Sequence, residues 1–163
     1  MSINSRIVLI TGGAGFIGSN FVRFFYHTHP ATRIVNLDLL SYAGNTENLR
    51  DIERHELHLE NGKRRYTFVQ GDICNESLVD GLFSQYKFDT IFHFAAESHV
   101  DRSIFNVLHF VRTNIEGTRS LVEAARKYGV PRFIHISTDE VYGSVPEGYA
   151  DEQAPLSPSN PYS

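Results

Sequence analysis

The sequence predicts an α/β fold, a doubly wound parallel sheet with helices on both faces. Two observations carry this. Short apolar, β-branched runs alternate with stretches of helical period along the chain. The first of those runs ends in a glycine-rich turn that opens a helix, "TGGAGFIGSN" (11–20). Parallel strands need long crossovers, and right-handed crossovers place helices on both sides of the sheet.

Each element follows from its own pattern. "RIVLITG" (6–12) is an apolar run closed by glycine, the mark of a buried parallel strand. A helix follows from about Phe16 to His27, with Ile17, Phe21, Phe24 and Phe25 as its apolar face; Phe21, Phe24 and Phe25 are assigned to the core. "RIVNLD" (33–38) is the second strand. Residues 41–64 are polar and irregular, with one helix around Thr46–Leu57. "RYTFVQGDI" (65–73) is the third strand, and Glu76–Tyr86 the helix after it, with Leu78, Leu82 and Phe83 at helical spacing. "DTIFHFAA" (89–96) is the fourth strand. A long helix is expected from about Asn106 to Tyr128, stopped by Gly129 and Pro131. "RFIHIST" (132–138) is the fifth strand. The last 25 residues are rich in Pro, Ser, Gly and acid, without a period.

The totals exclude several classes. A chain of 163 residues suffices for one domain with a sizeable core. Net charge is −4 with the signs interspersed, so no basic stripe points to nucleic acid. No apolar run approaches the length of a membrane span, and the first residues are too few before "RIVLITGG" for a signal peptide. One cysteine, Cys74, permits no internal disulfide. A cytoplasmic location is the expectation.

In a doubly wound sheet, ligands sit at the carboxyl ends of the strands. After the first strand, Gly12, Gly15 and Gly18 are spaced G-x-x-G-x-x-G. Gly12 allows the tight turn, Gly15 lets a pyrophosphate approach the backbone, and Gly18 lets the helix pack close. The free amides of the helix start then face the anion; following a strand and opening a helix, the triplet reads as a Rossmann-like dinucleotide site, with a flexible turn as the alternative. After the second strand comes Asp38, twenty residues beyond Gly18. An acid there accepts hydrogen bonds from ribose hydroxyls and repels the extra phosphate of NADP, which favours NAD; a helix cap or turn role is the alternative. Asp72, in "GDI" (71–73), can reach an adenine amino group or cap the helix at Glu76. Cys74 beside it has no visible partner and is read as a small filler.

After the fourth strand, Ala95 and Ala96 leave room for a cofactor against the backbone, with Ser98 and His99 following. His99 alone is more often structural than catalytic. After the fifth strand, "STDEVYG" (137–143) sets a hydroxyl and two carboxylates at the ligand edge. Adjacent carboxylates can divide into a proton donor and a proton acceptor, while a solvated turn is the plainer reading. No metal site is expected: His55 and His58 lie within one helical turn but lack a third ligand of convincing spacing and read as a surface pair.

Taken together, "TGGAGFIGSN", "LDLLSYAGNTENL", "GDI", "HFAAESHVDRSI", "TNIEGT" and "STDEVYG" resemble the extended short-chain dehydrogenase/reductase superfamily over the whole chain. "YAGN" (42–45), "AESHVDRSI" (96–104) and "STDEVYG" are similar to one branch, the dTDP-glucose 4,6-dehydratases; related 4-epimerases and decarboxylases generally lack the Asp-Glu pair. The resemblance implies a lyase with tightly bound NAD. Sugar C4 is oxidised, water is lost across C5 and C6, and hydride returns to C6. Tyr162 would take the C4 hydroxyl proton, with Thr138 hydrogen-bonded to the same oxygen. Glu140 would take the C5 proton, and Asp139 would protonate the departing C6 hydroxyl.

The resemblance also assigns NAD contacts to Phe16, Ile17 and the run Asp38, Leu39, Leu40 and Ser41. Asp72, Ile73, the run Phe94, Ala95, Ala96, Glu97 and Ser98, and Thr113 and Tyr162 join them, and Ser98 would also touch substrate. It implies a homodimer for the full-length protein. In the family the tyrosine belongs to a Tyr-x-x-x-Lys motif. Its lysine would fall beyond position 163, so residues 1–163 read as the incomplete N-terminal, NAD-binding part, inactive alone. A 4-epimerase or decarboxylase of the same superfamily, or a non-catalytic NAD-binding module, are the other readings.

Overall fold

Strand β1 (Ile7–Thr11) lies at the centre of a five-stranded parallel sheet in the computed structural model, which describes residues 6–60 and 62–163. Around it stand β2 (Arg33–Asp38), β3 (Tyr66–Gln70), β4 (Thr90–His93) and β5 (Arg132–His135), in the order β3-β2-β1-β4-β5. The order reverses between β1 and β4. That switch point opens a crevice at the carboxyl ends of the strands. The expectation that the first residues form no leader falls on residues 1–5, outside those described.

Alternation along β1 explains the two cores. Leu9 faces one side, where it packs with Val35, Leu37 and Ile91 against α3 (Glu76–Gln85) and α6 (Thr118–Tyr128). Val79, Leu82, Phe83 and Leu121 supply the helical half of that core. Val8 and Ile10 face the other side, against α1 (Phe16–Thr28) and α2 (Arg50–Leu57), through Val22, Tyr26 and Ile52. β5 is the outer strand, and its Ile134 stays 42% exposed.

Three expectations change. The apolar face of α1 is rotated from the one predicted: Gly18, Val22 and Tyr26 are buried, whereas Phe24 is 59% and Ile17 62% exposed. The cause is Gly18, whose missing Cβ would collide with the Gly12 carbonyl; that close approach fixes which stripe meets the sheet. Phe21 and Phe25 do pack, in an aromatic group with Phe92. Second, a short helix α4 (Val100–Phe105) forms where the sequence assigned no element; its wholly buried Ser103 donates its hydroxyl to Val100 O at 2.6 Å. Third, the long helix is not uniform. It begins as α5 (Val107–Phe110), widens into π-helical turns at Val111–Gly117, and resumes as α6. Gly117 abuts Ile73, and no side chain fits between them. Gly129 ends α6 in a left-handed conformation (φ 67°), as expected of a glycine stop.

His93 joins the sheet to this helix. Its ring is 1% exposed, with Nδ1 2.7 Å from Thr11 Oγ1 and Nε2 2.9 Å from Thr118 Oγ1. Burial, aided by the neighbouring His135, pushes its pKa down to about 4. The unfolded chain therefore binds a proton that the folded chain refuses between about pH 6.5 and pH 4. Stability from this group is complete above pH 6.5 and falls as pH drops through that window, by roughly 3 kcal/mol in all. Denaturant titrations from pH 8 to pH 4 are expected to show this loss, and His93→Gln, which cannot titrate, is expected to flatten it.

Candidate functional site

The glycine turn is built against β4. Gly12 has φ +72°, and a Cβ there would lie 2.6 Å from Ala95 N and 2.7 Å from Ala95 Cα. Gly15 differs: its Cβ would meet only the Gly12 carbonyl, at 3.4 Å. Protein packing therefore requires glycine at 12 and 18 but leaves space at 15, on the wall of a cleft. Gly15 caps α1 without a side chain, and the first intrahelical bond runs from Ser19 N–H to Gly15 O at 2.9 Å. Phe16, Ile17 and Gly18, whose N–H groups precede that bond, line the cleft, where the positive end of the helix favours an anion.

That cleft, of about 320 Å³, brings together residues from every strand end. Of the residues singled out from the sequence as cofactor contacts, Gly12, Gly15, Phe16, Ile17, Gly18, Asp38, Leu39 and Ser41 line it. So do Asp72, Ile73, Phe94, Ala95, Ala96, Glu97, Ser98, Thr113 and Tyr162. Leu40 does not; it sits at φ +57° with its N–H on Asp38 Oδ1 (2.8 Å), shaping the turn instead. Leu37, Ala43, Gly44 and Ile136 also line the cleft, and sequence reading had not picked them. Apolar strand residues and small loop residues carry no chemical signature of their own.

Asp38 is buried and takes the turn role weighed for it. Oδ2 accepts from Ala14 N–H (2.9 Å) in the glycine turn, and Oδ1 accepts from Leu40 N–H. Each oxygen keeps a further lone pair for a ligand hydroxyl. Asp38→Ala strands both amides and is expected to cost about 3 kcal/mol in a denaturant titration, with Asp38→Asn costing less.

Asp72 does not cap α3; Asn75 does, accepting from Leu78 N–H at 3.1 Å. Asp72 accepts instead from Cys74 N–H (2.8 Å) and pairs with Arg112 of the π-helical segment (2.9 Å). Burial and the Asp72 carboxylate raise the Cys74 thiol above its ordinary pKa, and Sγ donates to Arg112 O at 3.2 Å, which suits a filler and not a nucleophile. Asn114, from the same wide turns, clamps Glu97 through both backbone groups at 2.9 Å. His99 is an exposed residue at the start of α4. His55 and His58 are exposed on and beside α2.

A second cleft, of about 280 Å³, adjoins the first and shares Ala95, Ala96, Ile136, Ser137 and Tyr162 with it. Thr138 lines it; Asp139 and Glu140, in a 3-10 turn (Asp139–Tyr142), line neither cleft. Thr138 Oγ1 caps that turn, accepting from Glu140 N–H at 3.2 Å. Glu140 Oε2 accepts from Asn160 Nδ2 at 3.0 Å. Asn160 Oδ1 in turn accepts from Ser163 N–H at 2.9 Å, with Pro161 between, which is the arrangement of a helix N-cap. Tyr162 rides on this turn, edge-on to Phe110 with ring centroids 6.3 Å apart. Asn160 thus ties the Glu140 turn to the turn that carries Tyr162, which lines both clefts.

The fold and the crevice define a Rossmann-type α/β domain with its site at the strand-order switch. The sequence profile of the GDP-mannose 4,6 dehydratase family matches residues 9–163, and the chain belongs to that family. It is 51% identical over 159 residues to a dTDP-glucose 4,6-dehydratase of Streptomyces niveus, covering 95% of this chain and 44% of that protein. A dTDP-glucose 4,6-dehydratase of Streptomyces venezuelae, solved with NAD and TYD bound, superposes with a TM-score of 0.84 at 45% identity, over 96% of this chain and 47% of that one. A UDP-Glc/GlcNAc 4-epimerase from Campylobacter jejuni gives a TM-score of 0.85 at 36% identity, over 96% and 44%. The chain spans a little under half the length of these relatives.

Proposed function

We propose that residues 6–163 are the NAD-binding portion of a nucleotide-sugar 4,6-dehydratase that converts dTDP-glucose to dTDP-4-keto-6-deoxyglucose and water. One observation carries the reading: Tyr162 lies on both clefts, between the glycine turn and the Thr138–Asp139–Glu140 turn.

The residues present fit NAD. The space beside Gly15 and the amides of Phe16, Ile17 and Gly18 would hold the pyrophosphate. Asp38 would take the ribose hydroxyls and disfavour NADP. Asp72 and Ile73 would face the adenine, and Phe94 to Ser98 with Thr113 would line the rest. When bound, NAD would supply a hydride acceptor for sugar C4 and then a hydride donor for C6, so that it is regenerated in each turnover.

The chain's own groups move the protons. Tyr162, as the phenolate, takes the proton of the C4 hydroxyl, and Thr138 Oγ1 hydrogen-bonds the same oxygen. The ketone formed at C4 acidifies the hydrogen on C5. Glu140 removes that proton, and Asp139 protonates the C6 hydroxyl as the C6–O bond breaks, so water leaves and a C5–C6 double bond forms; once C6 is reduced, Glu140 returns the proton to C5. Ser98 would touch the sugar. Exposed Phe105, Leu108 and Ile115 support a homodimer formed through this helical face, and a reducing cytoplasm suits the single thiol of Cys74. Among the described residues no helix is long and apolar enough to cross a membrane.

A 4-epimerase is the second reading, favoured by the equal fold likeness to one; the Asp139–Glu140 pair argues for the dehydratase. Product analysis of the full-length protein separates them. With dTDP-glucose, a product absorbing in alkali as a 4-keto sugar, with loss of water, is expected. An inverted C4 hydroxyl with no loss of water would reject the dehydratase.

A further inference from the structure

Tyr42 and Arg102 have no part in the chemistry above, yet they meet. The Arg102 guanidinium carbon lies 4.3 Å from the centroid of the Tyr42 ring. Tyr42 belongs to a hoop that leaves β2, and Arg102 to α4, beyond the end of β4. β2 and β4 are not neighbours: β1 runs between them, so their ends stand about 10 Å apart. The structure that fills the gap is the glycine turn at the end of β1. A side-chain contact from the β2 hoop to the β4 helix therefore arches over that turn, at the mouth of the cleft lined by Ser41, Ala43 and Gly44 on one side and Glu97 and Ser98 on the other.

Both sides of this arch are anchored at their feet. The hoop is pinned to one residue of the glycine turn at each end: Ala14 N–H donates to Asp38 Oδ2 (2.9 Å), and Asn45 N–H donates to Ala14 O (3.0 Å). Its crown is tightened by Gly44 N–H on Ser41 O (3.2 Å). On the other side, buried Ser103 fixes α4, and Asn114 holds Glu97. Between two fixed feet, the crossing contact is exposed: Tyr42 is 49% accessible and Arg102 also faces solvent. An exposed cation–π contact is weak enough to open without unfolding either side.

We propose that Tyr42 and Arg102 form a strap across the glycine turn that closes over a bound dinucleotide and slows its exchange. Both are positioning residues, and the proposal rests on the NAD-binding reading. A dinucleotide whose pyrophosphate lies on the α1 amides would have to pass beneath this contact to enter or leave. The strap thus sets rates in both directions and leaves the equilibrium affinity nearly unchanged.

The test is stopped-flow fluorescence of NADH binding, and of its release when chased with excess NAD, in the purified protein. Tyr42→Ala and Arg102→Ala are each expected to speed both association and release by about two- to fivefold. The double variant should be no faster than the faster single one, because either change opens the same strap. Tyr42→Phe keeps the ring and should behave as the parent, which separates the contact from any effect on folding. Unchanged rates in both alanine variants overturn the strap. So does faster release without faster association, or multiplied effects in the double variant. A parent protein that binds no NADH overturns the NAD-binding reading itself, and the strap with it.

Discussion

Replacing Gly12 with alanine is expected to abolish dinucleotide binding and to lower the melting temperature by about 10 °C or more. Two costs add. At φ +72° any L side chain is strained, by about 1–2 kcal/mol. The new Cβ would also press on Ala95 N and Cα at 2.6 and 2.7 Å and on Phe94 C at 2.8 Å. All three are backbone atoms, so no rotamer change relieves the contact. The ends of β1 and β4 would have to part where Phe94 N–H bonds Thr11 O (3.0 Å), which also disturbs the Gly12 N–H bond to Leu37 O of β2 (2.9 Å). The total is expected near 3–5 kcal/mol. Gly81 supplies the contrast. It lies in α3, where an added Cβ would meet nothing within 4 Å, and Gly81→Ala is expected to stabilise by about 0.5–1 kcal/mol. Equal melting temperatures for the two variants would remove the steric account of the turn.

The second large effect falls on turnover. Glu140→Gln in the full-length enzyme is expected to lower kcat by about 10²- to 10⁴-fold, the usual worth of a general acid or base. The substitution keeps an oxygen for Asn160 Nδ2 and leaves the Thr138 cap in place, so stability should hold. Asp139→Asn should lose turnover to a similar extent for a different reason. The two are told apart by exchange of the C5 hydrogen with solvent deuterium. Exchange should vanish in Glu140→Gln, which lacks the base, and persist in Asp139→Asn, which lacks only the acid. Exchange retained in Glu140→Gln would move the base elsewhere in the crevice.

Much of this was legible in the sequence because each signal was local. β-branched runs and the glycine triplet marked the strands and one wall of the cleft, but not the strand order that places the switch point. What was missed depended on contacts that neither the helical nor the strand period reveals. The stripe of α1 that meets the sheet is chosen by Gly18 against Gly12 and not by the distribution of phenylalanines, so Phe24 came out exposed. The π-helical turns at 111–117 leave no mark in a helical period, yet they place Thr113, Asn114 and Arg112 against the cleft and its loops. α4 is a single short helix whose reason is one buried hydroxyl, Ser103. Asp72 looked equally like a cap or a ligand group; only the positions of Asn75 and Arg112 removed the cap. In the candidate catalytic corner, Asp139, Glu140 and Tyr162 were visible as residue types, but the Asn160 bridge from Glu140 toward Tyr162 was not.

The central claim is that residues 6–163 hold a dinucleotide on the glycine turn, with Asp38 choosing which one. Calorimetric titration of the protein, freed of bound nucleotide, with NAD and then with NADP tests it most directly. One saturable site is expected, with NAD bound at least about tenfold more tightly than NADP, since the 2′-phosphate would meet the Asp38 carboxylate. No saturable binding of either, or NADP bound as tightly as NAD, would contradict the account.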